Sequence, residues 1–243
     1  MAGAGRVIAR ALDGVLAETA EVGVRVTADQ LYYATCRAVL PPLHSGPRRP
    51  GYLLPRVLPR SAFDRVLARS GSDVVAERLS SLAAASDAPD VLDYGLPRLL
   101  ICQHDDIAAM LLANDLHMES GTAVLGGSQV VAGVPDLLRE AMERGATTVY
   151  LLHDATLAGA AWRERVENGL PGRVVALGLR PEQARALHLM RGPSLGAELA
   201  AVPPVHLLRV LRRLLGAGRP HAGPGSLRDR AALGFLSWPG ERR

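Results

Sequence analysis

The stretch Arg98-Leu99-Leu100-Ile101-Cys102-Gln103-His104-Asp105-Asp106 decides the fold. Its apolar run is too short for a helix and lacks the alternation of a strand with one wet face. A short run that turns abruptly polar reads as a strand buried on both faces. From Asp105 to Asn114 the spacing becomes helical. The same unit recurs downstream. Ala123-Val124-Leu125 precedes Gly126-Gly127-Ser128, and Pro135 to Arg144 is helical, with Pro135 tolerated in the first turn. Val149-Tyr150-Leu151-Leu152 precedes His153-Asp154-Ala155-Thr156, and Thr156 to Asn168 is helical. Val174-Val175-Ala176-Leu177 precedes Gly178-Leu179-Arg180-Pro181, and Pro181 to Met190 is helical. This alternation predicts an α/β fold. Four parallel strands are expected to start near Arg98, Thr122, Thr148 and Arg173.

Upstream the pattern is different. Val7, Ile8, Leu12, Val15 and Leu16 recur at helical spacing within Arg6 to Val22. Val24-Arg25-Val26 is a short extended piece. Thr27 is then a good N-cap for a helix from Ala28 to Val39. This order is compatible with a small winged-helix-like module. Six prolines between Pro41 and Pro59 forbid regular structure there. Helical pieces follow at Ser61 to Arg69 and Ser72 to Ala85. Ser86 to Pro97 is the best linker. The expected organisation is a mainly helical N-terminal module (1–86), the α/β domain (98–191), and C-terminal helices with an Arg/Gly/Pro-rich tail (192–243). In the last part, Ser194 to Ala201 and Val205 to Ala217 read as helical.

Composition adds bounds. The chain has 243 residues, 48% of them hydrophobic and 21% charged, as in an ordinary globular protein. Aromatics are 4%, so the core must be built from Leu, Val and Ala. The formal charge is +4 and the sequence pI is near 9.6. Every basic residue is Arg, which reads first as codon bias and a solvated surface, and second as a polyanion-binding face. Cys36 and Cys102 sit in apolar patterns and are expected as buried thiols in a reducing cytoplasm. Arg10 and Asp13 break any leader-like apolar run. No window approaches ~18 consecutive apolar residues, so no membrane span is expected.

In an open parallel sheet, ligands sit beyond the carboxyl ends of the strands. Those ends carry Gln103-His104-Asp105-Asp106 and His153-Asp154-Ala155-Thr156. Asp105, Asp106 and Asp154, with the histidines, can be read as a divalent-metal site. They can equally be read as helix N-caps, because Asp105 and Asp154 stand where helices begin. Gly126-Gly127-Ser128 suits either a close phosphate approach or a plain turn.

The segment order resembles the Toprim domain of the topoisomerase VI A subunit and the related meiotic double-strand-break transesterases. The resemblance rests on Leu99 to Gln103, Val134-Pro135-Asp136, Tyr150 to Gly159, and Leu177-Gly178-Leu179-Arg180-Pro181, the most literal match. It implies a Rossmann-like Toprim sheet. In that family a preceding helix carries the tyrosine that attacks the DNA phosphate. Thr27-Ala28-Asp29-Gln30-Leu31-Tyr32-Tyr33 resembles that helix, and Tyr33 falls on the nucleophile's position. Without the resemblance, Tyr32 and Tyr33 are core residues of an amphipathic helix.

The departures shape the functional expectation. The family's catalytic Glu falls on Gln103, which cannot ionise and so cannot act as a general base. A metal-binding Asp falls on Thr156. Asp154 alone survives of three carboxylates, too few to offset the dehydration of Mg²⁺. The resemblance therefore implies a Toprim-like protein that no longer cleaves DNA. Its expected role is binding or scaffolding, with nucleic acid or another protein subunit as partner and no cofactor. Arg180, Arg209, Arg212 and Arg213 are the candidate phosphate contacts. Two alternatives are a Mg²⁺-dependent phosphotransfer enzyme using the strand-end carboxylates, and a nucleotide or small-molecule binder at the same strand ends.

Overall fold

A computed structural model describes residues 2–40, 51–70, 98–132, 147–170, 173–194 and 196–216. The expected helices at Ser72 to Ala85 and Pro135 to Arg144, the linker, Val134-Pro135-Asp136 and the tail beyond 216 lie outside the described residues.

The chain opens with α1 (Ala2–Val22), which buries Ile8, Leu12 and Val15 on one stripe. Gly23 turns with φ 70, a left-handed conformation that glycine adopts without a Cβ penalty. Val24 to Val26, read as an extended piece, carries no regular structure. Then α2 (Ala28–Val39) begins at the predicted cap. Thr27 Oγ1 accepts the Gln30 amide, and Gln30 Oε1 accepts the Thr27 amide, so two orphan N–H groups are satisfied reciprocally. The third helix, α3 (Arg60–Arg69), packs on α1 and inserts Phe63 into the core.

The sheet follows the expected alternation. Its strands are β1 (Arg98–Cys102), β2 (Ala123–Gly126), β3 (Thr148–Leu152) and β5 (Arg173–Ala176), all parallel, in the order β2-β1-β3-β5. Between them lie α4 (Asp105–Ala113), α5 (Leu116–Ser120), α6 (Gly127–Ala132) and α7 (Leu157–Gly169). β4 (Ala155–Thr156) pairs antiparallel with β6 (Gly196–Ala197). The last pieces are α8 (Pro181–Ala186), a 3₁₀ turn (Leu199–Ala201) and α9 (Pro204–Gly216).

Side chains on successive strand residues point to opposite faces, so each apolar run feeds two cores. Leu100, Cys102, Tyr150 and Leu152 join a core that runs without a break into α1, α2 and α3. Leu99, Ile101, Val149 and Leu151 join a smaller core under Trp162 and Val166 of α7. That two-sided burial is why the runs do not alternate. Cys36 and Cys102 are both buried free thiols. No described helix is long and apolar enough to cross a membrane.

One element is new, and two expectations need correction. α5 was not foreseen: Asp115, at φ 56, breaks the helical run and restarts it. α8 stops at Ala186 instead of reaching Met190. His188 is left-handed at φ 48, and the backbone beyond it bonds to Leu54 on both sides, at 2.8 Å each. Ser194 to Ala201 is not a helix. Gly196 and Ala197 are drawn out to pair with β4, and only Leu199 to Ala201 turns.

Candidate functional site

The chain steps from β1 outward to β2, and β3 lies on the opposite side of β1. The strand order therefore reverses between β1 and β3, and a crevice is expected beyond their carboxyl ends. Gln103 and His104 leave β1 at this point, and His153 and Asp154 leave β3.

Asp154 is the centre of the arrangement, and its carboxylate is buried. Its Oδ2 meets His104 Nε2 at 2.8 Å, and its Oδ1 accepts the Leu199 amide at 2.8 Å. Gln103 Oε1 accepts the Asp154 amide at 3.0 Å. The hydrogen bond to Asp154 is the main cause raising the His104 pKa to about 9, against partial desolvation that lowers it. At neutral pH His104 is an imidazolium, and its Nε2–H donates.

Neighbouring groups are equally committed. His153 Nδ1 lies 2.9 Å from the Asp154 carbonyl, which only accepts, so Nδ1 carries the proton. Burial lowers the His153 pKa and keeps the ring neutral. Gly178 faces the His153 ring so closely that a Cβ there would collide with it. The glycine of Leu177-Gly178-Leu179-Arg180-Pro181 thus provides clearance for a buried ring. Thr156 caps α7 by accepting the Gly159 amide at 2.9 Å.

Glu198 completes the cluster and was not read from the sequence. Tyr33 Oη donates to Glu198 Oε2 at 2.7 Å, and burial followed by this bond pushes the phenol pKa up. Burial also raises the Glu198 pKa, against the Tyr33 hydrogen bond that lowers it and with Asp154 reinforcing the rise. A Glu in a stretch read as helix gives no local signal. Its position comes from Gly196, at φ 130, where a Cβ would strike the Ala155 carbonyl. That close approach sets the β4–β6 ladder, and the ladder delivers Glu198 and Leu199 to the strand ends.

The other candidates are placed differently. Asp105 does not cap its own helix, whose N-cap is His104. Its Oδ1 accepts the Ser128 amide of α6 at 3.1 Å, beside β2. Asp106 Oδ1 accepts the Ile107 amide at 2.8 Å. Asp105, Asp106 and Asp154 therefore serve different neighbours. Among the described residues, no cluster of three or more His, Cys, Asp or Glu side chains is placed to hold a metal ion. With Gln103 and Thr156 uncharged and Asp154 engaged, the donor set does not fit Mg²⁺. Tyr32 Oη donates to the Leu58 carbonyl at 2.7 Å, and Asp29 pairs with Arg60. Arg180, Arg209 and Arg213 are exposed. Arg212 is committed to Glu119 and the Asn114 carbonyl.

Fold and site together define a parallel α/β protein with a self-satisfied polar cluster at its topological switch point. No protein-family model, no curated protein and no solved structure matches the chain.

Proposed function

We propose that the chain is a Toprim-like protein that does not cleave DNA and acts as a binding or scaffolding component of a nucleic-acid-associated system. The observation that carries this is the commitment of Asp154. Both its oxygens are bonded within the chain, to His104 and to the Leu199 amide. A carboxylate held in this way ties β1, β3 and the 3₁₀ turn together. Its pairing with the cationic His104 imidazolium opposes the approach of a divalent cation. Tyr33 supports the same reading in one respect: burial pushes its phenol pKa up and holds it protonated, hydrogen-bonded to Glu198.

The test uses the purified full chain with a DNA duplex and with supercoiled plasmid. Salt-sensitive duplex binding without Mg²⁺- or Mn²⁺-dependent nicking is the expected result. Nicking that disappears in Asp154→Ala or Tyr33→Phe would overturn the non-catalytic reading. Absence of duplex binding at low salt would remove nucleic acid as the partner.

A further inference from the structure

The C-terminal half of α1, one face of α2 and Ala200 to Val205 enclose a cavity. It has a volume of about 320 Å³, within the range of small-molecule sites. Its wall is mostly apolar, with Val15 and Val22 from α1, Ala34 from α2, and Val202 and Val205 from the third segment. Val22 and Val205 are partly exposed at 52% and 36%, so apolar surface continues to the rim. It lies behind the 3₁₀ turn, and Tyr33, bonded to Glu198 of the strand-end cluster, also lines it.

Two donors on the same face of α2 line this cavity. Positions 30, 34 and 37 are spaced at helical intervals and share one side of the helix. Gln30 is 2% exposed, and its Oε1 is fixed by the capping box. The amide orientation is thereby settled, and Nε2 is a buried donor with no acceptor among the described residues. Arg37 is half-buried, and its guanidinium donates to the Ala201 carbonyl at 3.0 Å. Desolvation lowers its pKa, and no described carboxylate pairs with it to offset that cost. Glu18, the acid on the facing wall, is exposed and makes no ion pair with it. A buried donor is ordinarily satisfied, and a partly desolvated cation with only a carbonyl partner gains from an anion, so Gln30 and Arg37 together suit an anionic acceptor.

We propose that this cavity binds a small monocarboxylate with an apolar body, the carboxylate facing Arg37 and Gln30 and the body lying among Val15, Val22, Ala34 and Val202. The chemistry is complementary at both ends. A planar guanidinium and a carboxamide N–H suit a carboxylate, and the apolar wall suits a short alkyl or aryl chain. The proposed contacts involve neither Asp154 nor Glu198, and the proposal does not depend on the DNA reading.

The probe is octanoate, titrated calorimetrically into the full chain at pH 7, with 1-octanol as the neutral match. Octanoate is expected to bind saturably at one site, about tenfold or more tighter than octanol, because a hydrogen bond to a charged group outweighs a neutral one. Arg37→Met is expected to weaken octanoate by a similar factor and leave octanol unchanged. No saturable octanoate binding, or equal affinity for octanol, overturns the proposal. So does a folded Arg37→Met variant that binds octanoate as before. The octanoate–octanol comparison on the unaltered chain decides the matter even where Arg37→Met does not fold.

Discussion

His104 is exposed while its partner Asp154 is buried, with side-chain exposures of 44% and 4%. The pair gives the protein a specific pH signature. The folded-state pKa of His104, about 9, lies above the unfolded value of about 6.5. Its stabilising contribution is therefore complete below about 6.5 and is lost as pH rises through about 9. His153 acts in the opposite sense: buried and neutral, it costs stability as pH falls below about 6.5. Resistance to urea is expected to peak near neutrality and decline toward pH 9.5, a modest decline because solvent screens His104. In His104→Gln the alkaline decline should flatten; an unchanged slope would assign it to other groups. Gly178 makes a second test at the same scale. A Cβ there meets the His153 ring. Gly178→Ala is expected to cost about 1–3 kcal/mol in denaturant unfolding, the usual range for overpacking. His153→Ala added to it should recover part of that loss. Equal destabilisation in the single and double variants would show that clearance is not the reason for the glycine.

At the scale of elements, the sequence was most informative where burial is uniform. β1 and β3 were legible because each is buried on both faces, so its apolar run is continuous, while β2 and β5, at the sheet edges, are part-buried and were read from their short apolar runs. α2 was legible to the residue, because Thr27 and Gln30 form a cap that depends on local chemistry alone. The stretch from Ser194 to Ala201 was misread for the opposite reason. Its conformation is imposed by β4, a partner distant in sequence, and by Asp154 taking the Leu199 amide. Local propensity carries no information about either. Gly196 is the residue that permits this arrangement, through its positive φ and its closeness to the Ala155 carbonyl. Gly196→Ala is therefore expected to loosen the ladder and the 3₁₀ turn while leaving the four-stranded sheet intact. Amide hydrogen exchange should quicken at Leu199 and at Gly192, whose N–H bonds to the Gly196 carbonyl at 2.9 Å. Exchange should stay slow in β1 and β3. Unchanged protection at Leu199 would mean that Asp154 alone fixes the turn. At the other end of the molecule, α9 is tied down by arginines. Arg98 donates to the Leu215 carbonyl, one of the orphans of the last turn, and Arg212 pairs with Glu119 of α5. The Arg face of α9 read as a phosphate contact is thus partly committed inside the protein.

Viewed as a whole molecule, the fold brings together the described segments that the motif reading selected, but in a different chemical state from the one their order implies. Asp154, Gln103 and the helix bearing Tyr33 do converge, linked through the 3₁₀ turn and Glu198. The identities of these residues were legible because strand ends are marked by a sharp change from apolar to polar. Their mutual bonding was not, because it depends on Glu198 and Leu199 arriving through the β4–β6 ladder. Catalytic silence is the prediction that follows at this scale. Cleavage of a phosphodiester needs an ionisable acid or base near the nucleophile and carboxylates that hold a cation against the developing charge. Here position 103 accepts a backbone N–H as an uncharged amide, and position 156 caps a helix as an alcohol. The two substitutions Gln103→Glu and Thr156→Asp keep an oxygen acceptor at each place, so the fold is expected to tolerate them. Together they would add two carboxylates beside Asp154 and should raise Mg²⁺ affinity, seen as a metal-dependent rise in melting temperature that the unaltered chain lacks. DNA nicking should still be absent from this double variant. Tyr33 would remain bonded to Glu198, and burial would still hold its phenol protonated. Releasing the phenol with Glu198→Gln on that background is the remaining step, since an amide cannot repel a phenolate as a carboxylate does. Metal binding without nicking in the double variant would place the block at Tyr33. Nicking in the double variant would show instead that Gln103 and Thr156 alone account for the silence, and that the Tyr33–Glu198 bond opens readily.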